Sequence, residues 1–197
     1  MKKLIDYFLE IQGIKDVKRY APYKEMFHES VAGHSFLMIV LAIKLIEELK
    51  LDLDFKQVIK LITHHDYGEI GLEFDFANVA TVTKQDKQRK EVTEAVQIKK
   101  LSDKYGAEIQ ALHNEYSNPT TREGMFVKAI DKIEPMFFVI TRGLENIHPN
   151  DQKGCAARAN PTIKNFPELI PFYRELQSRM KAEYQRIGFE WKKEYEL

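Results

Sequence analysis

Apolar residues recur at helical spacing along most of this chain, and strand-type alternation is almost absent. The segments LIDYFLEI near the start, VAGHSFLMIVLAIKLIEEL, FKQVIKLITHH and the stretch from about Gln85 to Tyr105 all carry the period. Asp54 is placed to cap the third of these. Thr120 followed by Glu123 forms a capping box that opens a helix through FVKAIDKIEPMFFVI. Pro135 falls inside that helix and is expected to kink or shorten it. A last amphipathic helix is predicted from Pro167 to about Gly188, with Phe172, Leu176 and Met180 in step. Turn-forming residues set two segments apart, Tyr67 to about Thr83 and Gly143 to Pro161. The expectation is an all-α fold of about six or more helices in a single domain.

Length and charge narrow the class further. A chain of 197 residues can bury a substantial core as one domain. Lys plus Arg and Asp plus Glu stand at 30 each, so no global basic field draws a nucleic acid polymer or an anionic membrane. A small anionic ligand needs only a local cluster. The longest apolar run, Phe36 to Ile43, falls far short of the roughly 20 residues a membrane span requires. Asp6 and Glu10 interrupt the start, MKKLIDYFLEIQ, where a signal peptide would have its apolar core. The single Cys155 excludes an intramolecular disulfide framework and fits a reducing, cytoplasmic setting.

Against this background, polar groups interrupt surfaces that otherwise look like core. Phe36 to Ile43 is apolar all round, which predicts a central helix covered on most sides, and His34 lies near its beginning. His65 and Asp66 stand at the end of FKQVIKLITHH, and Asp131 interrupts an apolar stretch with VKAI before it and PMFFVI after. Burying such groups singly is costly, and one shared partner would compensate all of them. Neutral imidazole and carboxylate together suit a divalent first-row metal, with positions left for water or substrate.

The order His34, then His65-Asp66, then Asp131 resembles the H…HD…D signature of the HD-domain metal-dependent phosphohydrolases, which are helical bundles. The stretch RYAPYKEMFHESVAGHS further resembles the branch typified by bacterial 5'-deoxynucleotidases, where an Arg-Trp pair precedes Glu-x-Val-x-x-His. Arg19 stands fifteen residues before His34, and Glu29 and Val31 keep the expected offsets; residues 65 to 69, HDYGE, match His-Asp-x-x-Glu. The likeness runs through AIDKIE, roughly the first 140 residues.

The resemblance implies an HD-type bundle with a motif-bearing core over about residues 15–140 and a C-terminal helical extension over about 162–190. It implies that His34, His65, Asp66 and Asp131 ligate one divalent ion, whether Mn, Co, Mg, Zn or Fe. Arg19 would hold the substrate phosphate, while Glu69 would handle protons at the attacking water or the leaving oxygen, with Asp66 also in the catalytic set. The expected reaction is removal of phosphate from (deoxy)nucleoside 5'-monophosphates by metal-activated water. The alternatives are another nucleotide, a triphosphate or guanosine polyphosphate, or a catalytically weak nucleotide-sensing module.

Three positions depart from the pattern. Gly33 stands where the family usually has an acidic residue, and Tyr20 replaces the customary Trp as the aromatic surface for sugar or base. Glu73-Phe74-Asp75 replaces a Gly-Asp pair, with Asp75, one position late, as the candidate substrate-contacting acid. Of the remaining features, His64 is expected to be a supporting residue, and His28, His113 and His148 to be surface residues. The basic run KQDKQRK, residues 84 to 90, reads as a solvated helix face or the border of an anionic substrate's entrance. Phe137, Phe138 and the C-terminal helix are the candidate face for a homodimer.

Overall fold

The computed structural model describes residues 1–20, 28–72, 83–147 and 149–197. Among them the fold is all-α, as expected: α1 Lys2–Ile11, α2 Val31–Leu49, α3 Phe55–His64, α4 Lys84–Tyr105, α5 Glu108–Ser117, α6 Arg122–Arg142, α7 Gln152–Ala157, α8 Asn160–Asn165 and α9 Ile170–Arg186. One short antiparallel ladder, β1 Lys18–Arg19 with β2 Glu29–Ser30, sets Arg19 opposite Glu29.

Side-chain caps fix where several helices begin. Ser30 Oγ accepts from the Gly33 N–H at 3.0 Å to start α2, and Asp54 Oδ1 accepts from the Gln57 N–H at 3.1 Å to start α3, as its sequence predicts. A full capping box, Thr83 with Asp86, opens α4. The cap of α6 differs from the expected Thr120: it is Thr121, whose Oγ1 accepts from the Gly124 N–H. The Glu115 carboxylate takes the N–H and hydroxyl of Thr120, and Glu123 accepts from the Asp54 N–H instead of closing a box. The acid that looked like a local cap therefore ties α6 to α3.

The central helix is α6, not the α2 that the apolar run indicates. Phe126, Val127, Ala129, Ile130 and Ile133 of α6 are wholly buried. α2 buries only one stripe, Val31, His34, Met38, Ala42 and Leu45, and leaves Phe36 64%, Leu37 44% and Val40 42% exposed. Its apolar character all round thus reflects an exposed apolar face, whereas Asp131, Lys132 and Glu134 disguise α6 in the sequence. Pro135 does not shorten α6, which continues to Arg142. Burial of the flanking Glu134 and Met136 holds the helix through the break, and the missing N–H frees the Asp131 carbonyl from its helical bond.

Two apolar clusters carry the packing. The larger joins α2, α3 and α6 to the C-terminal helices, from Tyr20 through Tyr195. The smaller groups Tyr67, Ile70, Ile98, Leu101 and Ile109, with Tyr7, Ile11 and Ile14 laid against it. Residues 65–70 pass from one to the other, since Leu61 and Ile62 belong to the first and Tyr67 and Ile70 to the second. Glu10 fastens α1 by ion pairs to Lys104 at 2.6 Å and Lys100 at 2.9 Å.

The segment from Gly143 to Pro161, expected to be turns, holds 3-10 turns and the short helices α7 and α8. Its small residues serve close packing: Ala156 and Ala159 are completely buried. Phe138 is buried too, its ring stacked on Tyr20 at 4.9 Å, so it offers no dimer face. Phe137 remains 37% exposed, and further exposed apolar side chains lie on α2 and on α1, at Leu4, Ile5, Phe8 and Leu9. No helix among the described residues is long and apolar enough to cross a membrane.

Candidate metal centre

α2, the end of α3 and α6 bring His34, His65-Asp66 and Asp131 to one cavity of about 250 Å³. His34 lies on the buried stripe of α2 and is fully enclosed. α3 stops at His64, so His65 and Asp66 leave the helix end together. His65 Nδ1 donates to the Ile62 carbonyl at 2.7 Å, which assigns the ring proton and turns a bare Nε2 to the cavity. That Nε2 is buried without a hydrogen-bond partner among the described residues, and Asp66 Oδ2 stands 2.9 Å from it. Two acceptors face each other.

His34 repeats the arrangement. Its Nδ1 bonds Glu134 Oε2, and its Nε2 stands 3.1 Å from Asp131 Oδ1. Ligand atoms of His34, His65 and Asp66 all lie within 4.8 Å of one another. Asp131 reaches the cluster through His34, while its Oδ2 accepts from Tyr116 Oη at 2.6 Å and from Lys132. Facing acceptors are relieved by a shared proton or a cation between them, and imidazole nitrogen with carboxylate oxygen is the donor set of a divalent first-row ion. The residues fit such an ion.

The protonation of the site agrees with this. Burial and the Arg19 charge oppose a proton on His34, but hydrogen bonds to Asp131 and Glu134 outweigh them and hold its pKa above the ordinary value. Burial likewise opposes ionisation of Asp131, yet Lys132 and the His34 hydrogen bond hold it well below the usual carboxylate range. Asp66 is also held low, His65 outweighing its burial. A proton and a metal ion compete for the same place.

A second acidic group, Glu29, His34 and Glu134, also has ligand atoms within 4.8 Å. Here a cation is already present. Arg19 Nη1 stands 3.4 Å from Glu29 Oε2 and 3.7 Å from Glu134 Oε2, with all three side chains nearly enclosed. Burial and the Glu134 charge push Glu29 up to about 7. Glu134, which sequence reasoning left without a role, supplies the Nδ1 partner of His34 that the acid missing at Gly33 would have suggested. The available signal was its place one turn after Asp131 in AIDKIE.

Glu69 closes the 3-10 turn Tyr67–Glu69 and is 4% exposed on the cavity wall. Lys90 Nζ donates to its Oε1 at 2.7 Å and pairs with Glu94 at 3.2 Å. This contact depends on Gly68, where any Cβ would come within 2.9 Å of Glu94 Cβ and 3.2 Å of its Cα. Lys90 therefore departs from the solvated face expected for KQDKQRK; its side chain turns inward, 19% exposed.

Other expectations divide. Arg19 lines the cavity, but Tyr20 does not. A left-handed backbone, φ 59°, turns Tyr20 into the core, where it packs on Phe138 and stands under the Arg19 guanidinium at 5.5 Å. It braces Arg19 instead of offering a surface to substrate. His64 bonds the Lys60 carbonyl and stays off the cavity wall, in keeping with a supporting residue. His113, expected at the surface, lines the cavity; His28 is half-buried. Asp75 and His148 lie outside the described residues.

Comparison with known proteins adds a family to this geometry. The model of the family described as HD domain matches residues 11–169, well past the first 140. The 5'-deoxynucleotidase HDDC2 of Dictyostelium discoideum is 30% identical over 142 residues, 68% of this chain and 74% of that protein. Two solved structures share the fold. One, from Magnetospirillum magnetotacticum MS-1, is described as a predicted metal-dependent phosphohydrolase; it has a TM-score of 0.59 and 19% identity, covering 95% of this chain and 94% of that one. The other, an HD-domain phosphohydrolase from Listeria innocua, has a TM-score of 0.58 and 18% identity, covering 93% and 86%. With the family model spanning most of the chain and the H…HD…D residues gathered at one cavity, the chain belongs to the HD domain family.

Proposed function

We propose that this protein is a metal-dependent phosphohydrolase that releases phosphate from (deoxy)nucleoside 5'-monophosphates. The observation that carries the reading is the pair of facing acceptors, His65 Nε2 with Asp66 and His34 Nε2 with Asp131, in one cavity beside Arg19. The activity named for the Dictyostelium relative supports the monophosphate class. His34, His65, Asp66 and Asp131 would hold one divalent ion. Such an ion, when bound, supplies polarisation of a phosphoryl oxygen and activation of water.

The chain's own residues do the rest. Arg19, held between Glu29 and Glu134 on the cavity wall, presents a planar guanidinium of the shape and charge that match phosphate oxygens. Lys90 fixes the Glu69 carboxylate at the cavity wall, placed to take a proton from the attacking water and return it to the leaving sugar oxygen. The buried setting strengthens each of these charge interactions. Asp75 enters only as the proposed contact to the substrate. One apolar cluster from Tyr20 to Tyr195 supports the reading of the chain as a single domain, and the free Cys155 suits the cytoplasm.

To test the function, chelator-stripped protein is resupplied separately with Mn, Co, Mg or Zn and offered deoxy- and ribonucleoside 5'-monophosphates and triphosphates. Inorganic phosphate from monophosphates with at least one metal, and none in EDTA, is expected. Triphosphate or pyrophosphate as the product would move the substrate class, and no product with any metal would refute the hydrolase.

A further inference from the structure

Among the described residues five cationic side chains line the cavity, and three are already committed to carboxylates. Arg19 stands between Glu29 and Glu134, Lys90 between Glu69 and Glu94, and Lys132 on Asp131. Lys128 and Arg158 have no carboxylate at ion-pair distance among the described residues. The Lys128 ammonium lies 4.1 Å from the Tyr116 ring centroid. Burial and the charge of Lys132, with Arg158 adding to the repulsion, lower its pKa against the attraction of Asp131 and Asp66. On the same cavity, His113 Nδ1 is buried with no hydrogen-bond partner among the described residues. Uncompensated polar groups gathered on one cavity are costly to the free protein, and an anion would relieve them.

The position of Lys128 along α6 separates it from the Arg19 arm. Lys128 precedes Glu134, the partner of Arg19, by six residues, about 9 Å along the helix axis, with Asp131 between. Cations therefore flank the His34 and Asp131 cluster on both sides. A single phosphoryl group seated at Arg19 and the cluster leaves the far arm unanswered. Arg158 arrives from the end of α7, positioned by the buried Ala156 and Ala159, so the C-terminal extension contributes to the cavity.

We propose that Lys128 and Arg158 form a second anion subsite for a second phosphoryl group of the same substrate, which makes the preferred substrate a nucleotide phosphorylated at two separate positions, such as a nucleoside 3',5'-bisphosphate. The inference rests on the reading of the cavity as a phosphohydrolase site. In the reaction, water adds its oxygen to the phosphorus at the cluster and the P–O bond to the sugar breaks. The proton goes to the leaving sugar oxygen, and the second phosphate ester stays intact at Lys128 and Arg158.

Calorimetric binding to full-length Glu69→Gln protein in manganese chloride, chosen to suppress turnover, compares deoxyadenosine 5'-monophosphate with deoxyadenosine 3',5'-bisphosphate. The bisphosphate should bind about tenfold more tightly or better. Lys128→Gln and Arg158→Gln should each remove most of that gap while leaving monophosphate affinity within about twofold, and Arg158→Lys should restore part of it. Equal affinities, no measurable bisphosphate binding, or variants that weaken both nucleotides alike would overturn the subsite. Inorganic phosphate binding at Lys128 and Arg158 beside the seated monophosphate, with no advantage for the bisphosphate, would overturn the substrate reading in favour of a free-phosphate site. Phosphate release from the monophosphate by wild-type protein, measured separately, keeps the two readings apart. Turnover without a gap sinks only the subsite, whereas a gap with no phosphate release from either nucleotide sinks the hydrolase and leaves Lys128 and Arg158 as an anion-binding site alone.

Discussion

His65→Ala protein should release phosphate from deoxynucleoside 5'-monophosphates at least about 1,000-fold more slowly than wild type, read as initial rates at saturating metal. The size follows from how little freedom the ring has. Its Nδ1 proton is committed to the Ile62 carbonyl, so Nε2 is the only atom it can offer the cavity, and alanine removes that atom outright. Asp66 Oδ2, 2.9 Å from that nitrogen, loses its neighbour at the cluster at the same time. His64→Ala, one residue away, should stay within about threefold of wild type, because His64 bonds the Lys60 carbonyl and lies off the cavity wall. Comparable losses in the two variants would mean that α3's end acts through folding alone.

Glu134→Ala should produce the largest loss of stability, about 3–5 kcal/mol by urea unfolding, together with a fall in turnover of about 10–100-fold. Glu134 is 2% exposed and serves two buried groups, His34 Nδ1 and Arg19. Its removal takes away one of the two carboxylates beside Arg19, and burial has already raised the other, Glu29, to about 7, so near neutrality it is ionised only part of the time. Glu29→Gln should accordingly cost less than Glu134→Ala. An unchanged unfolding midpoint for Glu134→Ala would show that the carboxylates do not brace Arg19.

Much of this was legible in the sequence because it rests on local pattern. Helical period gave the long helices, and the caps at Asp54 and near Thr121 depend on residues within a turn of the helix start. Motif spacing brought together His34, His65-Asp66 and Asp131, since each comes from a different helix with an otherwise apolar face. What stayed hidden depends on the relative placement of distant elements. Lys90 belongs to a run that is almost wholly polar, and only the close approach permitted by Gly68 turns it toward Glu69. Arg158 and His113 face the cavity because α7 and α5 pack beside α6, which no spacing within either segment records. Tyr20 departs because its left-handed backbone reverses the direction an extended strand would give it. The apolar run in α2 misleads in the opposite sense, since hydrophobicity alone does not say which faces a neighbour covers.

The metal centre is most directly tested by titrating chelator-stripped wild-type protein and His65→Ala protein with manganese or cobalt chloride in a calorimeter. The arrangement of His34, His65, Asp66 and Asp131 predicts saturable binding of one ion per chain in the wild type, with affinity lost or reduced at least about 100-fold in His65→Ala. Absence of saturable binding in the wild type, or equal binding by the two proteins, would contradict it.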